Sequence, residues 1–269
     1  MRWRIDVRYD GGRFHGWARQ DGLRTVQGVL EEALGVVLRL PERPAVTCAG
    51  RTDTGVHARG QVVHVDLEME TTATDLLRRL NGVLPEDVGV TAVAPAPAGF
   101  DARFSAVWRR YVYRLCDDAA AWDPLRRGEV LRVGRPLDVV RMNEAARLML
   151  GEHDFAAFCR KREGASTVRA LLEFGWRRAE SGLVEGTVVA DAFCHSMVRA
   201  LVGSMIPVGD GRREVGWPAA VLAGGVRDPA VAVVPAHGLT LEEVRYPPDD
   251  EQAARAETAR QVRGVVHRG

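Results

Sequence analysis

The sequence lacks the features that mark membrane and secreted proteins. No apolar run reaches the roughly 18 residues that indicate a membrane-spanning helix. The N-terminus, MRWRIDVRYDGG, alternates charged with apolar residues and has no apolar signal-peptide core. We therefore expect a cytoplasmic protein with no membrane segment.

Cysteine is scarce and scattered. Cys48, Cys116, Cys159 and Cys194 are the 4 cysteines among 269 residues, and none forms a CxxC pair. Zinc sites and disulfide frameworks depend on closely spaced or regularly patterned cysteines, so neither is indicated. We expect buried, reduced thiols at these positions.

Neither sign of charge dominates the composition. Lysine and arginine number 37 against 36 aspartates and glutamates, so the net charge of +1 gives no global indication of nucleic-acid binding. Lys161 is the only lysine. Arginine forks suit phosphates and stack on bases, although genomic base composition is the simpler explanation of the count. The segment WRRYVYR (108–114) is more specific, because it interleaves arginines with aromatic side chains.

Hydrophobic periodicity predicts alternating strands and helices in both halves of the chain. Thr25 stands before a run of helical spacing and is predicted as an N-cap. The predicted strands cover residues 3–10, 44–48, 61–67, 88–92, 110–116, 170–178, 183–190 and 241–246. The predicted helices cover residues 25–38, 74–80, 138–150 and 195–207, with a shorter one from residue 217.

These elements predict an α+β protein of two α/β domains, with largely antiparallel sheets and helices on one face. The stretch APAPAG (94–99) indicates a boundary. We assign an N-terminal domain to residues 1–99, a C-terminal domain to 100–247 and a polar tail, either frayed or helical, to 248–269. The glycine-rich dinucleotide fingerprint and the P-loop are both absent from the sequence, which argues against a doubly wound nucleotide-binding fold.

The stretch CAGRTDTGVHARGQVVH (48–64) contains a long loop with the triplet Asp53-Thr54-Gly55, which is also an aspartic-protease signature. A protease dyad needs two carboxylates that share a proton in an apolar turn. Arg51 instead favours an ionised, unshared Asp53. No second triplet occurs in the chain, although a homodimer could supply one. A surface salt bridge between Arg51 and Asp53 is the simplest alternative.

The wider pattern makes this loop more specific. Seven segments occur in a fixed order: YDGGRFHGWARQ (9–20), TVQGVLEEAL (25–34), AGRTDTGVHARGQVVHVD (49–66), FDARFSAVWRRYVYR (100–114), LMLGEHDFAAF (148–158), FCHSMVRALVGSM (193–205) and AHGLTLEEVRYP (236–247). The set closely resembles the tRNA pseudouridine synthase A family over residues 4–247. The core Gly-Arg-Thr-Asp, followed by Gly-Val-His, is highly specific to that family.

Two positions depart from the family pattern. The family commonly has alanine after the catalytic aspartate, where this chain has Thr54, and this change creates the protease-like triplet. Threonine is compatible with a turn. The family's Met-Val-Arg-Asn ends here in Ala200. Neither change removes a group that the chemistry needs.

The resemblance implies a pseudouridine synthase fold, with an active-site cleft between the two domains. It implies isomerisation of uridine to pseudouridine in the tRNA anticodon stem-loop, at positions 38 to 40. That reaction breaks the N1–C1′ bond, turns the base and joins C5 to C1′ without redox change, so no cofactor is implied. Asp53 is assigned as the catalytic carboxylate, which could attack C1′, act as a base on the ribose or add to C6. Each route needs an ionised carboxylate.

Two arginines are the expected support for Asp53. Arg51 is the local cation. Arg199 is the second cation that the resemblance implies, and a helical wheel places it opposite an apolar stripe. On that face Arg199 can reach a cleft and hold the carboxylate. The stripe consists of Phe193, Met197, Leu201 and Met205.

The target uridine must leave its helical stack before Asp53 can reach C1′. Tyr111 corresponds to the family's active-site tyrosine, whose ring can stack on a flipped uracil. Tyr113 shares its sheet face and is left unassigned as a core candidate. The resemblance further implies a homodimer in which both subunits contact each tRNA. The candidate RNA-binding residues are Arg13, Trp17, Gln20, Arg103, Arg109 and Arg110.

Two alternatives remain beside this hypothesis. His57 and His64, with Asp66 nearby, could suggest a metal, but no third ligand stands at a ligand-like spacing. We therefore expect no metal. A non-catalytic RNA-binding protein that retains the fold is the other alternative, and the joint presence of Asp53 and Tyr111 with the two arginines argues against it.

Overall fold

The computed structural model describes residues 1–68, 71–160 and 166–265. The chain divides into two compact units. The terminal unit consists of Met1–Val107 with Leu241–Gly269, and the central unit is Trp108–Thr240. The domain ranges predicted from the sequence stay a prediction.

Strands and helices alternate along the described chain, as the periodicity predicts. The strands are β1 (Arg2–Tyr9), β2 (Thr47–Cys48), β3 (His57–Asp66), β4 (Val88–Pro95), β5 (Trp108–Cys116), β6 (Leu131–Arg132), β7 (Gly151–Asp154), β8 (Val168–Arg178), β9 (Val184–Ala190) and β10 (Leu239–Arg245). The helices are α1 (Val26–Leu38), α2 (Ala73–Val83), α3 (Val139–Arg147), α4 (Met197–Gly209), α5 (Trp217–Gly224) and α6 (Gln252–Val265).

The terminal unit is built on a sheet in the order β4-β1-β3-β10, with β2 added to β3. β1 pairs antiparallel with both β3 and β4. Alternate residues of β1 point inward, and Ile5 and Val7 are fully buried. Thr25 caps α1 as predicted, because its side chain accepts the N–H of Gly28 at 3.3 Å.

The polar tail contains α6, which packs within the terminal unit. Ala256 on α6 is buried, and the guanidinium of Arg260 lies 2.7 Å from the carboxylate of Asp101. Gly99 fits against Ala253, because a Cβ on Gly99 would lie 2.5 Å from the Ala253 methyl group. The polar tail therefore contains an amphipathic helix that packs against the rest of the terminal unit.

The central unit has the strand order β5-β9-β8-β7, and its paired strands are antiparallel. The short strand β6 runs parallel to β5. α3 lies next to β8, and α4 lies next to α3. The α+β class with largely antiparallel pairing is therefore confirmed. β7 was not expected from the periodicity, since its four residues are too few to show a pattern.

α4 begins at Met197, two residues later than predicted. Ser196 precedes it with φ of 63° and ψ of 9°, a left-handed conformation that cannot continue a right-handed helix. Met197, Leu201 and Met205 are fully buried, so the helical part of the predicted apolar stripe is confirmed.

The cysteine expectation holds at two positions and is wrong at the other two. Cys48 and Cys116 are free and buried. Cys159 and Cys194 form a disulfide, with their Cα atoms 5.7 Å apart. Their sequence separation of 35 carries no spacing signal, so only the fold of the central unit could reveal this pair.

Among the described residues, no helix combines the length and the apolar character needed to cross a membrane.

Candidate active site

Asp53 begins a tight turn in the loop between β2 and β3. Its carbonyl oxygen accepts the N–H of Val56 at 3.1 Å, and Gly55, the third residue of the turn, has φ of +79°. Such turns need glycine at that position, because side chains rarely tolerate positive φ there. Asp53 is half-buried and Thr54 is exposed. The Asp-Thr-Gly triplet is therefore a turn that presents a carboxylate.

A preceding segment of backbone holds this turn in place. The carbonyl oxygen of Thr52 accepts the N–H of Trp17 at 3.0 Å. Gly16, at φ +87°, lies so close that an added Cβ would be 3.0 Å from the Thr52 carbonyl oxygen. A Cβ on Gly11 would be 2.0 Å from the carbonyl oxygen of Val56. Glycines in the YDGGRFHGWARQ segment thus let two backbone segments pack in direct contact.

Polar side chains lie buried beneath the loop. The hydroxyl of Tyr9 is 2.8 Å from Oγ1 of Thr52. Nε2 of Gln61 donates to the Tyr9 hydroxyl at 3.3 Å and to the carbonyl oxygen of Gly50 at 2.7 Å. Gln61 is fully buried, and burial raises the pKa of Tyr9, so this hydroxyl stays neutral at physiological pH.

Two predicted arginines lie near the base of the loop. Burial, the largest effect, raises the pKa of the Cys48 thiol to about 12, and the positive charges of Arg51 and Arg103 oppose that rise. Both arginines therefore act electrostatically on the same buried thiol. Arg51 and Arg103 are themselves exposed. The fold thus brings the charge of Arg103 close enough to act on Cys48, at the end of β2, although the two are distant in sequence.

The three candidates of the 9–20 segment differ in their surroundings. Arg13 is exposed and pairs with Glu86 at 3.7 Å. Gln20 is exposed, and its Nε2 donates to the carbonyl oxygen of His15 at 3.0 Å. Trp17 is only 1% exposed, with its ring centroid 6.0 Å from that of Tyr9. The Trp17 ring is a core side chain, which corrects the expectation that it faces RNA.

The two histidines considered for a metal act as backbone acceptors. Nδ1 of His57 accepts the N–H of Gly11 at 3.0 Å, and Nδ1 of His64 accepts the N–H of Ala102 at 3.0 Å. Both rings are buried, and burial lowers the pKa of His64. In the described part of the chain, no three potential ligands cluster as a metal site would require.

In the central unit, β5 carries the predicted tyrosines on one buried face. Tyr111 is 7% exposed and meets Phe193 edge to face, with ring centroids 5.1 Å apart. Tyr113 donates its hydroxyl to the carbonyl oxygen of Pro235 at 2.7 Å. Burial raises the pKa of Tyr113, and the charge of Arg199 opposes this effect. Both tyrosines are therefore buried, Tyr113 fully and Tyr111 slightly less completely.

Both the backbone and the side chain of Arg199 form hydrogen bonds with Val234. Nε donates to the carbonyl oxygen of Val234 at 2.7 Å, and the carbonyl oxygen of Arg199 accepts the N–H of Val234 at 3.4 Å. The hydrogen bond from Nε restrains the orientation of the guanidinium.

The remaining two candidates on β5 differ in burial. Arg109 is 6% exposed, and its Nη1 donates to the carbonyl oxygen of Asp191 at 2.6 Å, so burial leaves it little surface for RNA. Arg110 is half-buried, with its guanidinium carbon 5.8 Å from the centre of the Trp108 ring.

Thr52, Tyr9 and Gln61 are the residues of this site that pattern reasoning missed. For Tyr9 and Gln61 the only sequence signal is that polar residues stand at inward positions of β1 and β3, such as Gln61 opposite Val7. Thr52 lies in the loop between β2 and β3 and has no such signal. Buried polar side chains usually have hydrogen-bond partners, but the partners here are 43 and 52 residues apart. Sequence spacing alone could not connect them.

Along its whole length the chain is similar to proteins named tRNA pseudouridine synthase A. The relative from Frankia casuarinae is 61% identical over 263 residues, covering 98% of this chain and 96% of the relative. The relative from Streptomyces griseus is 59% identical over 273 residues, covering 100% and 96%. The relative from Streptomyces avermitilis is 57% identical over 274 residues, covering 100% and 96%. A family model described as tRNA pseudouridine synthase matches residues 145–247.

Proposed function

The chain belongs to the tRNA pseudouridine synthase A family, and from this premise we propose that it converts uridine to pseudouridine in the tRNA anticodon stem-loop. The observation that carries the proposal is the Asp53 turn. It presents a half-buried carboxylate within the Gly-Arg-Thr-Asp motif, in a chain 61% identical to a relative of that name. The activity is that of an isomerase.

Asp53 is the proposed catalytic carboxylate. The reaction cleaves the N1–C1′ bond, rotates the uracil and forms a C5–C1′ bond; the C5 hydrogen leaves as a proton and N1 takes up a proton, so the product is an isomer of the substrate. A carboxylate could attack C1′, abstract a ribose proton or add to C6, and each route requires an ionised oxygen beside the sugar and base. Arg51 and Arg199 are its proposed supporting cations, because positive charge favours the ionised form.

Tyr111 is the proposed stacking partner of the flipped uracil. An aromatic face binds any base through its π surface, with a worth of about 1–3 kcal/mol per base in single-strand binding. The edge-to-face contact with Phe193 gives the ring a defined orientation. Extrusion of the uridine makes the base accessible to a carboxylate that could not reach it within the stem.

The proposed RNA surface includes the exposed arginines Arg13 and Arg103, with Gln20 and the half-buried Arg110.

We also propose that the protein acts in the cytoplasm as a homodimer. A net charge of +1 leaves one chain with little excess basic character, and two copies could combine their local basic surfaces around one tRNA. Light scattering with and without tRNA tests this state, and a monomer under both conditions would contradict it.

The test of function uses Asp53→Asn, which keeps the shape of the side chain and removes its charge. Unmodified tRNA carrying tritium at uridine C5 is incubated with each protein, because formation of the C5–C1′ bond releases that tritium. We expect release from the anticodon arm with the wild type, and background release with Asp53→Asn despite retained tRNA binding. Asp75→Asn on α2, which removes a carboxylate that pairs with Arg78 at 2.7 Å, is the control for loss of one negative charge. Wild-type release by Asp53→Asn would refute the assigned role.

A further inference from the structure

A buried chain of side-chain hydrogen bonds helps to attach the loop that carries Asp53 to the core. We propose that Tyr9, through Thr52, is a positioning residue for the Asp53 carboxylate, and that Gln61 sets the direction of this chain. The inference rests on the proposed function, since it assigns a role relative to Asp53. Tyr9 and Gln61 do not touch the reacting atoms in this proposal.

The direction of the chain follows from the partners of Gln61. Its Oε1 accepts the N–H of Val62 at 3.2 Å, whereas Nε2 faces the carbonyl oxygen of Gly50 at 2.7 Å. A carbonyl oxygen can only accept, so the amide group cannot be flipped. The second Nε2 hydrogen therefore donates to the Tyr9 hydroxyl. Tyr9 is left to donate its own hydrogen to Oγ1 of Thr52.

This chain ends one residue before the carboxylate. Thr52 is held at two atoms, since Oγ1 is 2.8 Å from the Tyr9 hydroxyl and its carbonyl oxygen accepts the N–H of Trp17. The turn that follows is closed by the Asp53 carbonyl oxygen and the N–H of Val56. Asp53 thus stands between two restrained peptide groups. Its Cα position depends on where Tyr9 places Thr52.

Because these hydrogen bonds are buried, they restrict the positions that the Asp53 loop can adopt. Tyr9 is 4% exposed, Thr52 is 7% exposed and Gln61 is fully buried. In such surroundings a missing partner leaves an unsatisfied polar group that water cannot easily reach. The loop therefore has few alternative positions that satisfy all three side chains. A carboxylate that must approach C1′ or C6 benefits from this restriction, because small displacements reduce rates strongly.

The test compares Tyr9→Phe with Thr52→Val, each of which removes one hydroxyl with little change in volume. We expect kcat to fall by about tenfold to a hundredfold in both, as for other small displacements of reacting groups. The KM for tRNA should stay within about twofold, because the RNA surface is unchanged. Thr52→Ser keeps the hydroxyl and should restore kcat to near the wild-type value.

A matched control separates positioning from loss of stability. Tyr246 is 9% exposed in the same unit, and its hydroxyl donates to the carbonyl oxygen of Ala102 at 2.7 Å. Tyr246→Phe should lower the melting temperature as Tyr9→Phe does, without the loss of kcat. The double variant Tyr9→Phe/Thr52→Val removes both hydroxyls of one pair, so stability should partly recover. Its kcat should remain low, because no hydroxyl at position 9 holds the side chain of residue 52.

The outcomes distinguish this inference from the proposed function. Inactive Asp53→Asn together with wild-type kcat in folded Tyr9→Phe and Thr52→Val would overturn the positioning role alone. Activity in Asp53→Asn would instead overturn the catalytic assignment on which it rests. If Tyr246→Phe lost as much kcat as Tyr9→Phe, the effect would be one of general stability, and the positioning role would again be refuted.

Discussion

Asp101 and Arg260, 159 residues apart in sequence, form an ion pair of 2.7 Å that joins α6 to the segment carrying Arg103. The Asp101 carboxylate also accepts the N–H groups of Arg103 and Phe104, both at 2.9 Å. Burial, the largest single effect, works to raise the pKa of Asp101. The Phe104 N–H, the Arg260 guanidinium and the Arg103 N–H together outweigh it and lower that pKa. One carboxylate therefore caps a loop and docks a helix.

This relationship predicts a pH-dependent loss of stability in Asp101→Asn. Removing charge-assisted hydrogen bonds from a largely buried group should cost about 1–3 kcal/mol of unfolding free energy at pH 7. The pKa of Asp101 is lower in the folded than in the unfolded protein, so the ionised carboxylate stabilises the fold fully at pH values above the ordinary aspartate pKa, near 4. This stabilisation is lost as the pH falls through the pKa of Asp101 in the folded protein. Denaturant unfolding at pH 7 and near pH 3 checks this. An equal difference at both pH values would contradict it.

Gly16→Ala should disturb the Asp53 turn. Its φ of +87° and a Cβ position 3.0 Å from the Thr52 carbonyl oxygen both oppose a side chain. Alanine at a positive φ destabilises by more than the roughly 0.4–1 kcal/mol that it contributes at compatible positions. We expect a lower melting temperature together with a lower kcat. Gly82→Ala in α2, where the added Cβ meets open space, should keep both values or raise stability.

Thr54→Ala should leave activity within about twofold of the wild type, since its exposed side chain stands at a turn position that most residues tolerate. Gly55→Ala, at φ +79°, should reduce it strongly because the turn itself is strained. Tritium release from uridine C5 measures both variants. A large loss in Thr54→Ala with normal activity in Gly55→Ala would show that the threonine hydroxyl, rather than the turn, matters.

Arg199→Lys should separate charge from geometry. Lysine keeps the positive charge but cannot reproduce the guanidinium fork whose Nε donates to the Val234 carbonyl oxygen. Hydrogen bonds of charged groups are worth about 1.5–3 kcal/mol, so we expect kcat to fall by about tenfold or more. Arg147→Lys, on the exposed face of α3, is the control. Equal kcat in both variants would argue that only charge is needed at position 199.

Local order was readable from the sequence because it depends on near neighbours. The spacing after Thr25 predicts α1 and its N-cap, and the alternation in residues 3–10 predicts β1. The small and charged residues after Pro247 predict a polar tail that is either frayed or helical, and the structure has the helix there, with Ala256 on its buried side. The ordered motifs likewise indicated the family, because their residue types and order can be compared without coordinates.

The tertiary structure decided which distant groups meet. The charge of Arg103 acts on the Cys48 thiol, Trp17 is buried against Tyr9, and Cys159 pairs with Cys194. These relationships depend on strand register and on close backbone contacts, which no short-range period encodes. The sequence by itself therefore determined the elements and the family, whereas the fold determined what anchors the Asp53 turn. The physical reason is that periodicity records which side of an element faces inward, and only packing selects the partner on that side.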